Sequence, residues 1–117
     1  FRDYLKSLNI NPPKNVVDIG SGKGRNAIYM AKEGFNVYGI EYIPAAVEHA
    51  KKEAAEVGVE NLTHFELGDV STRWKFNENF FDLAIDSLTT VGLYKKEREK
   101  CRDEMYKTLK KRWNCIN

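Results

Sequence analysis

The residues of this 117-residue chain best suited to chemistry are carboxylates that close apolar runs. Asp18 stands in Val16-Val17-Asp18-Ile19, Glu41 follows Val37-Tyr38-Gly39-Ile40, Asp69 follows Phe65-Glu66-Leu67-Gly68, and Asp86 follows Leu83-Ala84-Ile85. A carboxylate accepts hydrogen bonds from hydroxyl, amino and amide donors, and its two oxygens together can take a vicinal pair. Asp18 is followed by glycine at every second position, Gly20, Gly22 and Gly24, with Ser21 between the first two. Glycine there permits left-handed backbone angles and lets a ligand approach the main chain where a Cβ would collide. The pattern describes a ligand held against the backbone at 20–24 and met by acids from later segments.

Such acids converge only if the runs before them are strands of one sheet. Asn15 to Ile19 reads as the first strand and Arg25 to Lys32 as a helix, begun near Gly24 and closed at Gly34 by a C-terminal glycine. Phe35 to Glu41 alternates as a second strand. Pro44 suits the first turn of a helix whose Val47, Ala50, Ala54 and Val57 recur at helical spacing until Gly58. Thr63 to Val70 and Phe80 to Ile85 read as the third and fourth strands. The order βαβαβ implies parallel strands with right-handed crossovers. Upstream, Arg2 to Leu8 reads as the end of an amphipathic helix, and Asn11-Pro12-Pro13 as the linker that breaks it. Downstream, Leu93 to Lys111 reads as one long charged helix with Cys101, Met105, Leu109 and Trp113 as its buried stripe. Its Lys100/Glu104 and Asp103/Lys107 pairs lie one turn apart, which marks a solvated outer face.

Spacing also discriminates between ligands. A dinucleotide fingerprint needs a third small residue at the sixth position of G-x-G-x-x-G, and counting from Gly20 that position is Arg25. The pattern Asp18-x-Gly20-x-Gly22-x-Gly24, with acids at Glu41 and Asp69, resembles instead the class I S-adenosylmethionine-dependent methyltransferases. The resemblance runs over roughly 15–92 and implies an α/β fold: a three-layer Rossmann-like sheet of parallel strands in the order 3-2-1-4, with helices on both faces. It implies that Asp18, Gly20, Ser21 and Gly22 surround the methionine and ribose portion of the cofactor, that Gly24 is also cofactor-binding, that Glu41 takes both ribose hydroxyls, that Tyr42 and Ile43 pack on the adenine, and that Asp69 and the Val70 amide read its edge. The segment 22–27 is particularly similar to the tellurite-resistance type and related small-molecule methyltransferases, which places Arg25 near the cofactor's carboxylate. Asp86 stands in the fourth motif, Ile85-Asp86-Ser87-Leu88-Thr89-Thr90, and could bind the cofactor's ammonium, orient the acceptor or take its proton.

Composition narrows the partners. A net charge of +2 does not argue for nucleic acid, and the Asn/Asp-Pro-Pro-Tyr/Phe signature of methyltransferases acting on exocyclic amines of nucleic acids is absent, so a small-molecule acceptor is expected. Cys101 and Cys115 lack metal-ligand spacing and read as reduced, and His49 and His64 read as structural. No apolar run approaches the roughly 18 residues that cross a membrane, and the expected location is cytoplasmic. The chain reads as one domain, 1–117, that opens on Phe1 as if something had been removed upstream and lacks the C-terminal strands of the full fold. Strand four would then be an open edge, to be covered by a homodimer or by the rest of a longer enzyme. Two other functions compete with methyl transfer: a cofactor-binding module without its own catalysis, and a nicotinamide-dependent oxidoreductase.

Overall fold

The computed structural model describes residues 7, 9–86 and 92–116, the last six of these by backbone alone. Among the described residues, five strands and three helices follow one another, β3 leading to β4 with no helix between: β1 Asn15–Ile19, α1 Arg25–Lys32, β2 Asn36–Glu41, α2 Pro44–Glu56, β3 Thr63–Leu67, β4 Phe81–Asp86, α3 Lys95–Thr108 and β5 Leu109–Ile116. The sheet is parallel throughout, in the order β3-β2-β1-β4-β5. The first four strands thus take the expected 3-2-1-4 arrangement, and the expected Arg2–Leu8 helix lies outside the described residues, its Ser7 excepted.

Period-2 alternation gives each side of the sheet its own core. Val16, Val37, Phe65, Leu83 and Ile85 meet Ala27, Ile28 and Met30 of α1 and Val47, Ala50 and Ala54 of α2. Val17, Ile19, Ile40, Phe81 and Ala84 meet Trp74, Cys101 and Leu109 on the opposite side. Both faces are covered, as a parallel sheet requires.

The chain's last segment differs from the expectation. The helix stops at Thr108, and residues 109–116 form a fifth strand beside β4, with Phe81 level with Leu109 and, after a slip in register, Leu83 level with Asn114. The i, i+4 series Cys101, Met105, Leu109, Trp113 led the reading too far: Cys101 and Leu109 are buried, but Leu109 is already strand. The physical reason is the demand of β4, whose backbone donors and acceptors need a partner strand more than α3 needs another turn. Phe80 N–H donates to the Thr108 carbonyl at 2.7 Å, and Asn79 N–H to that of Lys107 at 3.2 Å, so pairing begins where the helix ends. β4 is therefore not the open edge from which a homodimer was expected.

Polar side chains lace the entry end of all five strands. His64 Nε2 donates to Asn36 Oδ1 at 2.9 Å, Asn36 Nδ2 donates to Asn15 Oδ1 at 3.1 Å, and Asn15 N–H donates to Asp82 Oδ2 at 2.9 Å. Lys110 Nζ meets the other Asp82 oxygen at 2.7 Å. Burial would raise the Asp82 carboxyl, but the hydrogen bonds from Lys110 and the Asn15 amide, with the charges of Lys110 and Lys14, hold it below the usual carboxylate range. Asp82→Ala leaves the Asn15 N–H without its acceptor, and a urea melt is expected to show a loss of roughly 1–3 kcal/mol.

Candidate functional site

The acids that end the strands lie at the opposite, carboxyl-terminal edge of the sheet, where open α/β folds bind ligands. β1 runs into a turn through three left-handed glycines, Gly20 at φ 68°, Gly22 at 57° and Gly24 at 84°. They do different work. A Cβ on Gly24 would stand 2.8 Å from the Ala50 Cβ and 3.0 Å from the Phe65 ring, so this glycine lets α1 sink onto α2 and β3. A Cβ on Gly22 would meet nothing within 4 Å, which leaves its main chain open to approach. The close-packing small residue that a dinucleotide fold carries at the sixth motif position is here supplied one place earlier, by Gly24 rather than Arg25.

Glu41, only 7% exposed, is the pivot of the site. Its Oε1 accepts the Gly22 N–H at 3.0 Å and its Oε2 the Ile43 N–H at 3.1 Å. Each carboxylate oxygen retains acceptor capacity, so the group is held in one orientation with both oxygens able to take a further donor. The hollow in front of it measures about 430 Å³ and is lined by Gly20, Ile40, Glu41, Tyr42, Gly68, Asp69, Val70, Leu93 and Glu97. Asp69 is oriented in turn: the Ser71 hydroxyl donates to its Oδ1 at 2.6 Å and the Ser71 amide at 2.8 Å. These bonds, with Lys100 nearby, outweigh burial and hold its carboxyl below the ordinary value. Val70 is buried, and its carbonyl accepts the Trp74 indole N–H at 2.9 Å, which anchors the loop after β3.

Tyr42, 72% exposed, and Ile43 bring large apolar side chains to the end of β2 beside the pinned carboxylate, where no core covers them. Behind the hollow, Asp18 is 2% exposed and Asp86 5%, on adjacent strands. Burial, then Asp86, then Glu41 push the Asp18 carboxyl up from 3.8 to about 7. Ser21 is buried too, and its hydroxyl oxygen finds no hydrogen-bond partner.

Of the expected site residues, Gly20, Glu41, Tyr42, Asp69 and Val70 line the hollow in front of Glu41, while Asp18, Ser21, Gly22, Gly24, Arg25, Ile43 and Asp86 are not part of its lining. Arg25 is exposed and lines a separate hollow of about 640 Å³ with Lys23, Ile28, Tyr29, Lys32, His49 and Glu53, on the outer side of α1 and α2. Two residues that reasoning from the sequence missed, Leu93 and Glu97, join the main hollow. A signal for Glu97 was present: it lies three residues after Tyr94, and its Oε1 accepts the Tyr94 N–H at 3.0 Å at the start of α3. Ser87 to Thr90 of the fourth motif lie outside the described residues.

Residues 10–116 match the methyltransferase domain family. The chain belongs to the S-adenosylmethionine-dependent methyltransferases. Among curated relatives of this methyltransferase chain, an uncharacterized RNA methyltransferase of Enterococcus faecalis is 35% identical over 88 residues, which make up 73% of this chain and 19% of that protein. A 2-heptyl-1-hydroxyquinolin-4(1H)-one methyltransferase of Mycobacteroides abscessus is 35% identical over 66 residues, 56% of this chain and 29% of that one. Among solved structures, a SAM-dependent methyltransferase of Methanosarcina mazei superposes with a TM-score of 0.78 at 26% identity, over 91% of this chain and 52% of that one. The methyltransferase chain therefore spans less than a third of those curated relatives and about half of that structure.

The acceptors at the strand tips fit the family's cofactor. A vicinal diol needs two acceptors held side by side, which Glu41 offers, and a heterocyclic amine needs one, which the unbonded Oδ2 of Asp69 offers. The described residues include no group of three or more metal-ligating side chains. Among them no helix is long and apolar enough to cross a membrane.

Proposed function

We propose that this chain binds S-adenosylmethionine in the hollow at the strand tips and serves methyl transfer to a small-molecule acceptor. The observation that carries the reading is the Glu41 carboxylate, pinned by the Gly22 and Ile43 amides with both oxygens still able to accept. In this reading Glu41 holds the ribose hydroxyls, Asp69 and Val70 face the adenine edge, and Tyr42 and Ile43 cover its face. Asp18, Gly20, Ser21, Gly22 and Gly24 form the wall beside the methionine portion. Arg25 is left out of this reading because its exposed side chain lines the separate outer hollow.

When bound, the cofactor supplies a sulfonium-activated methyl carbon open to in-line displacement. The chain's own task is to hold two reactants in line and keep water out, which can contribute several kcal/mol through effective molarity. Asp86, buried at the tip of β4, is the candidate for orienting the acceptor or taking its proton. A phosphate backbone needs cations, and a net charge of only +2 does not argue for it, which favours a small acceptor over RNA. The buried thiol of Cys101 accords with a reducing, cytoplasmic setting.

Calorimetry with S-adenosylhomocysteine tests the binding, and Glu41→Ala is expected to weaken it by roughly 1–3 kcal/mol. Unchanged affinity would remove Glu41 from the site. Product formation across a panel of small acceptors and RNA oligonucleotides tests the acceptor class, and methylation confined to the RNA would overturn it. A second reading is a cofactor-binding module without its own turnover, which rests on the same hollow because its described lining accounts for the cofactor alone. Binding with no product from any acceptor would select it.

A further inference from the structure

We propose that the outer hollow between α1 and α2 is a second binding site, separate from the strand tips, for a small molecule that carries phosphate at two places. The inference stands apart from the cofactor reading and uses none of the residues assigned there.

One side of each helix builds the hollow. Arg25, Tyr29 and Lys32 recur at i, i+4 and i+7 along α1, Lys23 stands in the turn that leads into it, and His49 and Glu53, one turn apart, complete the lining from α2. The other sides of the two helices are spent on the core through Ala27, Met30, Val47, Ala50 and Ala54. What remains outside is a polar cleft of about 640 Å³, the size of a small-molecule pocket.

Its charge is one-sided. Lys23, Arg25 and Lys32 are all exposed, and the first turn of α1 carries no acid to neutralise them. The one acid among the described lining residues, Glu53, is engaged by His49 Nε2 at 3.0 Å. The strand-tip hollow has the opposite character, with Glu41, Asp69 and Glu97 and no Lys or Arg among its described lining residues. A cleft lined by one sign of charge concentrates ligands of the other, so a polyanion is drawn to the outer hollow and repelled from the inner one.

The donors select the kind of anion. A guanidinium forks five N–H groups and each ammonium offers three, so a lone carboxylate would leave most of them unused. A phosphate brings roughly two charges and three strong acceptor oxygens. Lys23 and Arg25 stand at the start of α1 and Lys32 at its last residue, about two turns away, so one phosphate meets one end and two phosphates meet both. Tyr29, half-buried between those ends, and Ile28, buried beneath, give the organic part of the ligand an apolar surface. An RNA backbone fits less well. It needs a basic track, whereas the exposed surface of α2 continues with Glu48, Lys51, Lys52 and Glu56, of both signs.

Titration of the whole chain with pyrophosphate at low salt, followed through the backbone amide NMR signals, tests the site. Shifts are expected over 23–32 and 49–53 and not over 41–43 or 68–70, and inorganic phosphate is expected to bind more weakly. Lys23→Gln and Lys32→Gln each remove one exposed cation and are each expected to weaken pyrophosphate binding about two- to fivefold, the scale of an exposed ion pair. The double variant is expected to lose more than either, and saturation with S-adenosylhomocysteine is expected to leave the pyrophosphate affinity unchanged. Pyrophosphate that shifts nothing on α1 and α2, that binds the double variant as tightly as the wild type, or that S-adenosylhomocysteine displaces overturns the proposal. So does an oligoribonucleotide that binds these helices where pyrophosphate does not, which would make this face a nucleic-acid surface.

Discussion

Gly24→Ala is expected to cost this fold on the order of 2–5 kcal/mol, a large part of the roughly 5–15 kcal/mol by which a domain is stable. Two terms add. The residue sits at φ 84°, where a side chain costs about 1–2 kcal/mol. The new methyl would also stand 2.8 Å from the Ala50 Cβ and 3.0 Å from Phe65, and forcing apart a packed core adds about 1–3 kcal/mol. Gly22→Ala is the internal control. It shares the left-handed angle, at φ 57°, but meets nothing, so only the conformational cost applies. Denaturant melts of the two variants should therefore separate. Equal losses would mean that the approach of α1 to Ala50 and Phe65 is not what Gly24 is for.

Asp18→Asn is expected to stabilise the unliganded chain at pH 8, and to do so less and less as the pH falls. The folded-state carboxyl is pushed up to about 7 from its ordinary 3.8, so the native chain binds the proton more tightly than the unfolded one. Below 3.8 both states are protonated and the site carries no penalty. Between 3.8 and 7 the unfolded chain loses its proton first and stability declines as pH rises. Above 7 the full penalty stands, roughly 4 kcal/mol for a shift of this size. Asparagine removes the titration while keeping the shape of the protonated acid. Urea melts at pH 5 and pH 8 measure the effect, and an equal gain at both would disprove it. Asp69 and Asp82, held below the ordinary range, act in the opposite sense: their stabilisation is present above about 3.8 and lost as pH falls through their lowered values.

Much of the frame was legible because it is local. The bounds of β1 follow from an apolar run between Pro13 and Gly20, and the start of α2 from Pro44, whose missing donor suits a first turn. The acids at 18, 41, 69 and 86 could be singled out because each ends an apolar run, and in a parallel sheet every such end falls on the same edge. β5 was not legible. Leu-Lys-Lys-Arg-Trp-Asn-Cys-Ile has no clean alternation, and its reason for being a strand lies in β4, more than twenty residues away. The side-chain position of Arg25 was not legible either: it adjoins the glycine turn in sequence, and in the first turn of α1 its side chain is exposed and lines the outer hollow.

The amino-acid order by itself determined which groups are available and on which strand tips they stand, because period 2, proline and glycine act over a few residues. Tertiary structure alone decided how those groups share space. It pinned Glu41 between two amides, brought Leu93 and Glu97 to the hollow, and enclosed Asp18 between two other acids. Hydrogen-bond reach and electrostatic fields depend on distance through the fold rather than along the chain, which is why the charge state of this site had to await the packing of its strands.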